Sequence, residues 1–249
     1  MESSFNIILN DINVFKEAFE SISTIVDEVI CHIDNEGFRV NAIDRSHICF
    51  VSLDLKKELF DEYECSVPEK ICLDTIEFMK ILKRSKKNDT LQLTINDNNL
   101  IIIYDGEVHR TFKIRLIDLE YETPTPPQLK TPANIICETS LFKDFITDME
   151  LFNENLTIII NTEYLIIQTD SEFGDSTSKY YHGEQINNTY KSSFSIEKLK
   201  QIMKANRFSP IINIGLGNDM PLKIGYNKTD AELNYLLAPR LSEEDEKKT

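Results

Sequence analysis

Apolar positions along this 249-residue chain follow two rhythms, and the shorter one dominates. Leu91-Gln92-Leu93-Thr94-Ile95 alternates with period two, the spacing that sends successive side chains to opposite faces of a strand. Asn96 to Asn99 then forms a turn, and Leu100 to Tyr104 returns. Asp105-Gly106 predicts a hairpin turn into a strand from Arg110 to Ile117. The second half repeats the plan: Leu156 to Ile160, a turn at Asn161-Thr162-Glu163, then Tyr164 to Thr169. Ile211 to Leu216, Leu222 to Tyr226 and Glu232 to Leu237 each read as a further strand.

Four segments carry helical spacing instead. Phe15, Phe19, Ile22 and Val26 recur at intervals of four, three and four, after a cap at Asn10 or Asp11. Asp74 caps a second helix with Ile76, Met79 and Leu82 on one face. A third starts at Ser140 and carries Leu141, Phe142, Phe145, Ile146 and Met149. A fourth starts near Ser195 with Ile196, Leu199, Ile202 and Met203. The first and third start about 129 residues apart and the second and fourth about 121, which predicts a duplication. The expected fold is therefore α+β: two similar domains, each with two short helices packed on antiparallel sheets.

The halves are 1–118 and 133–241. Between them, 119–132 holds four of the eight prolines and reads as an extended connector, because proline removes backbone donors and fixes φ. Residues 242–249 are polar and read as a mobile tail.

Composition narrows the function. No apolar run approaches the roughly 20 residues of a membrane span, and the N-terminus lacks the basic-then-apolar layout of a signal peptide, so the expected location is inside the cell, with no membrane partner. Cys31, Cys49, Cys65, Cys72 and Cys137 are odd in number and mostly lie in apolar runs, as reduced thiols would. Cys65 and Cys72 stand seven apart with no histidine between them, and no metal site is expected.

The net charge of −15 argues against a nucleic-acid partner until its distribution is considered. Lys80, Lys83, Arg84, Lys86 and Lys87 occupy one stretch without an acidic residue. Lys198, Lys200, Lys204 and Arg207 occupy another. On a continuing helix Lys80, Lys83, Arg84 and Lys87 share one face at i, i+3, i+4 and i+7, and Lys200, Lys204 and Arg207 repeat the idea. A solvated lysine face is the plain alternative for either helix. Two at matching places in a duplicated acidic chain favour a phosphate backbone contacted without base readout. Phosphate-binding, dinucleotide and nucleophile-elbow motifs are missing, and local adjacency of Asp44, Ser46 and His47 is not a catalytic triad, so neither enzyme activity nor a cofactor is expected.

Ala42 to Leu55 reads AIDRSHICFVSLDL and Leu236 to Leu241 reads LLAPRL. With LFDEYEC (59–65), LDTIEFMKILKRSKKND (73–89), HRTFKIRLIDLE (109–120) and MPLKI (220–224), the chain resembles proliferating cell nuclear antigen, the sliding clamp of archaea and eukaryotes, and looks more archaeal in KILKRSKKND and LAPRL. The similarity runs in unbroken order across nearly the whole chain.

That resemblance implies a homotrimeric ring around double-stranded DNA, serving as polymerase processivity factor and docking platform; a subunit of a heteromeric or checkpoint-type clamp is the alternative. DNA-facing residues would be Lys16, Lys80, Lys83, Arg84, Lys87, Lys143, Lys200, Lys204 and Arg207. DNA polymerase, clamp loader, flap endonuclease and DNA ligase would dock a short motif on Ile43, His47, Phe50, Pro221, Leu237, Ala238 and Pro239, with Pro127 and Leu129 as lid. Three prolines at 124, 126 and 127 depart from the family and blur the connector's register. The subunit boundary would pair a strand near Arg110 to Leu116, carrying Phe112 and Ile114, with Thr177 to Tyr181 of the neighbour, which carries Lys179. Asp144 and Asp148 would face Arg84, Lys86 and Arg110 there, so two roles compete for Arg84 and Lys86. The expected location is the archaeal cytoplasm on the chromosome, or the nucleus if eukaryotic.

Overall fold

Period-two stretches become antiparallel strands in the structure, a computed structural model that describes residues 4–118 and 122–240. The expected tail, with Leu241 and residues 119–121, lies outside the described residues. Close contacts divide the chain into two units. The first takes in the described residues of Met1–Arg45, Val51–Pro126 and Lys228–Leu233. The second takes in those of Ser46–Phe50, Pro127–Asn227 and Asn234–Thr249. The chain passes between the units at Pro126 and Pro127, inside the expected connector, and also at 45–46, 50–51, 227–228 and 233–234.

In chain order the first half forms β1 (Phe5–Leu9), α1 (Asn13–Ile22), β2 (Glu28–Asp34), β3 (Gly37–Ile43), β4 (Cys49–Lys56), β5 (Glu62–Cys65), β6 (Glu69–Asp74), α2 (Thr75–Leu82), β7 (Thr90–Asn96), β8 (Asn99–Asp105) and β9 (Arg110–Arg115). One sheet runs β5-β1-β7-β8-β9, and a second run is β4-β3-β2-β6. The second half forms β10 (Ala133–Glu138), α3 (Thr139–Glu150), β11 (Asn155–Ile160), β12 (Tyr164–Ser171), β13 (Gly174–Tyr181), β14 (Tyr190–Ser195), α4 (Ile196–Ile202), β15 (Ile211–Leu216), β16 (Leu222–Lys228) and β17 (Ala231–Leu237). Its sheet runs β13-β12-β11-β14, beside the run β10-β15-β16-β17.

The expected duplication is visible in the bonds that tie each helix pair. Thr75, first residue of α2, donates its hydroxyl to the Val26 carbonyl at 2.8 Å, just beyond α1. Thr139, first residue of α3, donates to the Ser209 carbonyl at 2.9 Å, beyond the 3-10 turn Met203–Arg207 that follows α4. Each threonine thus closes two helix ends with one buried hydroxyl, satisfying carbonyls that have no partner within their own segment.

The core of the first unit is an aromatic cluster. Phe15, Phe19, Phe38 and Phe78 are buried with ring centroids 4.9 to 6.2 Å apart, mostly edge to face. Each such ring contributes about 1.5–3 kcal/mol by leaving water. Phe142, Phe194, Phe208, Tyr226 and Tyr235 are buried in the second unit.

Several expectations need correction. Ile76 is 48% exposed; Thr75 and Phe78 face inward with Met79 and Leu82. Helix α1 starts from Ile12, with Asp11 Oδ1 accepting from the Asn13 amide at 3.0 Å ahead of it, so no side chain caps it directly. Asp74 does cap α2, its Oδ1 accepting from the Glu77 amide at 2.9 Å. The β8–β9 connection spans residues 106–109 and is not a two-residue hairpin.

Candidate nucleic-acid face, docking surface and subunit edges

Basic side chains of the first unit gather on its helix pair. Helix α2 ends at Leu82, so Lys83, Arg84 and Lys87 do not share a helical face with Lys80. The chain instead turns: the Arg84 amide donates to Ile81 O at 2.8 Å and the Ser85 amide to Leu82 O at 3.2 Å. The Lys86 amide donates to Asp89 Oδ2 at 2.7 Å. Lys80, Lys83, Arg84, Lys86 and Lys87 all remain exposed. Lys16 on α1 is half-buried and reaches the same turn, with Nζ 3.5 Å from Ser85 Oγ.

The second unit offers a shorter version. Lys200 projects from α4, and Lys204 and Arg207 lie on the 3-10 turn Met203–Arg207 that continues it. Their α-helical spacing is lost. A 3-10 turn has three residues per turn, however, so residues three apart still project the same way. Lys143 is exposed on α3.

Several of these cations already have carboxylate partners. Lys80 Nζ lies 2.5 Å from Glu77 Oε1, Lys83 Nζ 3.9 Å from Glu20 Oε1 and Lys200 Nζ 2.6 Å from Glu150 Oε1. The Glu77 hydrogen bond, reinforced by its charge, pushes the Lys80 ammonium above the usual lysine range. Exposed pairs of this kind are worth at most about 1 kcal/mol and exchange readily.

The residues expected to dock a peptide lie mostly in the second unit. His47 sits in a turn with φ 56°, and the Ala238 amide donates to the neighbouring Ile48 carbonyl at 2.8 Å. That bond fixes the register where β17 ends; Phe50 and Leu237 are both buried, and Ala238 and Pro239 are half-buried after β17. Pro221 is half-buried just before β16. In the connector Pro127 is exposed and Leu129 half-buried, with the Leu129 amide donating to the Pro127 carbonyl at 2.9 Å. Ile43 ends β3 in the first unit, 36% exposed. In the connector's leading half Thr123 Oγ1 lies 2.7 Å from His32 Nε2 on β2, a contact that the sequence pattern does not announce.

Both strands expected at the subunit boundary are edges. β9 closes one side of its sheet and β13 one side of its own. Phe112 and Ile114 are half-buried on β9, Lys179 and Tyr181 are exposed on β13, and Asp144 and Asp148 are exposed on α3. Arg110 is different. It pairs with the buried Asp89 of its own chain, so the sequence reading that left it for a neighbour missed an internal partner.

Against known proteins, residues 4–123 match the family described as Proliferating cell nuclear antigen, N-terminal domain. The chain is 48% identical over 243 residues to a DNA polymerase sliding clamp of Methanobrevibacter smithii, covering 97% of this chain and 100% of that one. A DNA polymerase sliding clamp of Methanothermobacter thermautotrophicus is 46% identical over the same shares of each chain. Among solved structures, the fold matches proliferating cellular nuclear antigen from Entamoeba histolytica with a TM-score of 0.90 at 22% identity, covering 96% of this chain and 100% of that chain. It matches that of Thermococcus kodakaraensis with 0.89 at 24%, covering 95% and 100%. These likenesses define the class as clamp-type replication proteins. The chain belongs to the DNA polymerase sliding clamp family.

Proposed function

We propose that three copies close head to tail into a ring around duplex DNA and tether polymerases to it, with no chemistry of their own. The basic helix layer of each unit lines the centre; the exposed carboxylates of the strands face outward. β9 of one copy extends the sheet ending at β13 of the next, a heterologous contact whose rotation closes. Polymerase, clamp loader, flap endonuclease and ligase dock a short apolar motif on Phe50, Leu237 and Pro239 beside His47. Its place is the cytoplasm, on the chromosome.

The observation that carries this reading is the clustering of cations at and just after α2 and α4, over 80–87 and 198–207, in an otherwise acidic chain with a net charge of −15. Encirclement needs only weak phosphate contacts, so a sparse basic layer suffices where a gripping protein would need a strongly basic one. The test is the mass of the purified chain at micromolar concentration, with polymerase run length on primed circular DNA. A trimeric mass with lengthened products supports it; a stable monomer that leaves the polymerase unaided refutes it.

A further inference from the structure

Asp89 lies between the basic turn and the edge strand β9 and bonds to both. Its side chain is 4% exposed. Oδ2 accepts from the Lys86 amide at 2.7 Å and from Arg110 Nη2. Arg110 is only 19% exposed; its Nη1 donates to the Arg84 carbonyl at 2.9 Å, and its guanidinium stands 5.1 Å over the Tyr104 ring. Arg110 Nε is buried as well. The planar fork is thus used inside its own chain, with Nη2 on a carboxylate and Nη1 on a backbone carbonyl, a fixed two-nitrogen geometry that lysine's point charge does not supply. Gly106 completes the site: a Cβ there would stand 2.6 Å from Asp89 Oδ1.

We propose that Asp89 is a positioning residue for DNA retention: with Arg110 as strut it fixes the turn carrying Lys83, Arg84, Lys86 and Lys87 while touching no DNA itself. This rests on the reading that the turn faces the duplex. Without the carboxylate, the Lys86 amide and the Arg110 guanidinium lose their common acceptor, and the four cations spread over many orientations. A loose cation pays ordering entropy at each phosphate contact; a preset one does not.

The experiment uses the full chain with Asp89→Asn and, independently, Gly106→Ala, which crowds the same carboxylate from outside. Ring mass, amide exchange at residues 84–89 and retention on nicked circular DNA across a salt series are measured. Both variants should keep the wild-type mass, exchange about tenfold faster at the turn, as neutralising or displacing a buried charged acceptor implies, and leave DNA several-fold faster. The slope of log retention against log salt should flatten by roughly one contact or more, which general destabilisation would not produce. Unchanged exchange, unchanged retention or a dissociated ring overturns the proposal. A Lys83→Glu/Arg84→Glu/Lys87→Glu control separates the two ideas. If that control holds DNA like wild type, the DNA-facing reading fails. If the control loses DNA while Asp89→Asn and Gly106→Ala retain it, only the positioning role fails.

Discussion

Tyr226 donates its phenolic hydroxyl to the Ile202 carbonyl at 3.1 Å, tying strand β16 to the last residue of α4. Tyr104 does the same from β8 to Ile81 of α2 at 3.2 Å. Each unit thus fastens a helix end to a sheet with a single oxygen. The Tyr226 bond is buried and the Tyr104 bond partly so. Replacing either tyrosine by phenylalanine should cost about 0.5–1.5 kcal/mol, with Tyr226→Phe the more severe because its orphaned carbonyl has less access to water. Urea titration of the two variants orders them; the reverse order would show that burial is not what sets the cost.

Alkaline pH should destabilise the chain. Burial holds the Tyr226, Tyr104 and Tyr63 hydroxyls well above the usual tyrosine value of 10.0 and pushes the Cys137 thiol from 9.0 up to about 11, with Glu138 adding to the thiol's shift. In the unfolded chain these groups release protons at their ordinary values while the folded forms keep them. Their contribution is therefore complete below about pH 9 and is lost as pH rises, first through Cys137 between about 9 and 11, then through the tyrosines above 10. Cys137→Ala should flatten the 9-to-11 segment of a stability–pH curve. An unchanged slope would mean the thiol titrates normally.

Gly37 marks a place where no side chain fits. Its φ is 152°, and a Cβ would stand 2.1 Å from the Leu55 carbonyl oxygen. Gly37→Ala should lose more than about 2 kcal/mol through backbone displacement at the β2–β3 turn. Thermal melting checks this, and a near-neutral result would mean β4 yields easily.

Reversing Lys80, Lys83 and Lys87 to glutamate should shorten the lifetime on circular DNA at least about tenfold at moderate salt, since each phosphate contact steepens salt dependence by close to one unit. Mass should stay trimeric. Dissociation of the ring would instead assign these residues to the subunit boundary.

His47→Ala should weaken binding of a client docking peptide about tenfold, the usual scale for a residue central to a peptide-binding patch, while leaving the mass and DNA retention unchanged. Calorimetric titration reads this directly. Unaltered affinity would place the docking surface elsewhere.

The sequence was most informative where one rhythm was uncontested. On α4 and the first residue of the turn after it, the expected face of Ile196, Leu199, Ile202 and Met203 is wholly buried. On α2 two faces fit the same apolar residues, and Phe78 with Thr75 won over Ile76 because the Thr75 hydroxyl is drawn inward by the Val26 carbonyl. Lysine and arginine are good helix formers, so 83–87 reads as more helix; Asp89 ends that by capturing the Lys86 amide, a local side-chain bond competing with the helical one. β13 (GDSTSKYY) alternates exposed with half-buried positions and is mostly polar, leaving almost no hydrophobic signal to read. The Asp89–Arg110 pair spans 21 residues and an intervening hairpin, so nothing in the local pattern announces it.

The resident carboxylates beside Lys80, Lys83 and Lys200 bear on how such a ring would travel. A bare ammonium dwells at each phosphate it meets and must be pulled free before the next. One shared with Glu77, Glu20 or Glu150 would trade a partner of similar strength, so the potential along the helix axis would be rippled rather than pitted, and friction would stay low without the protein letting go.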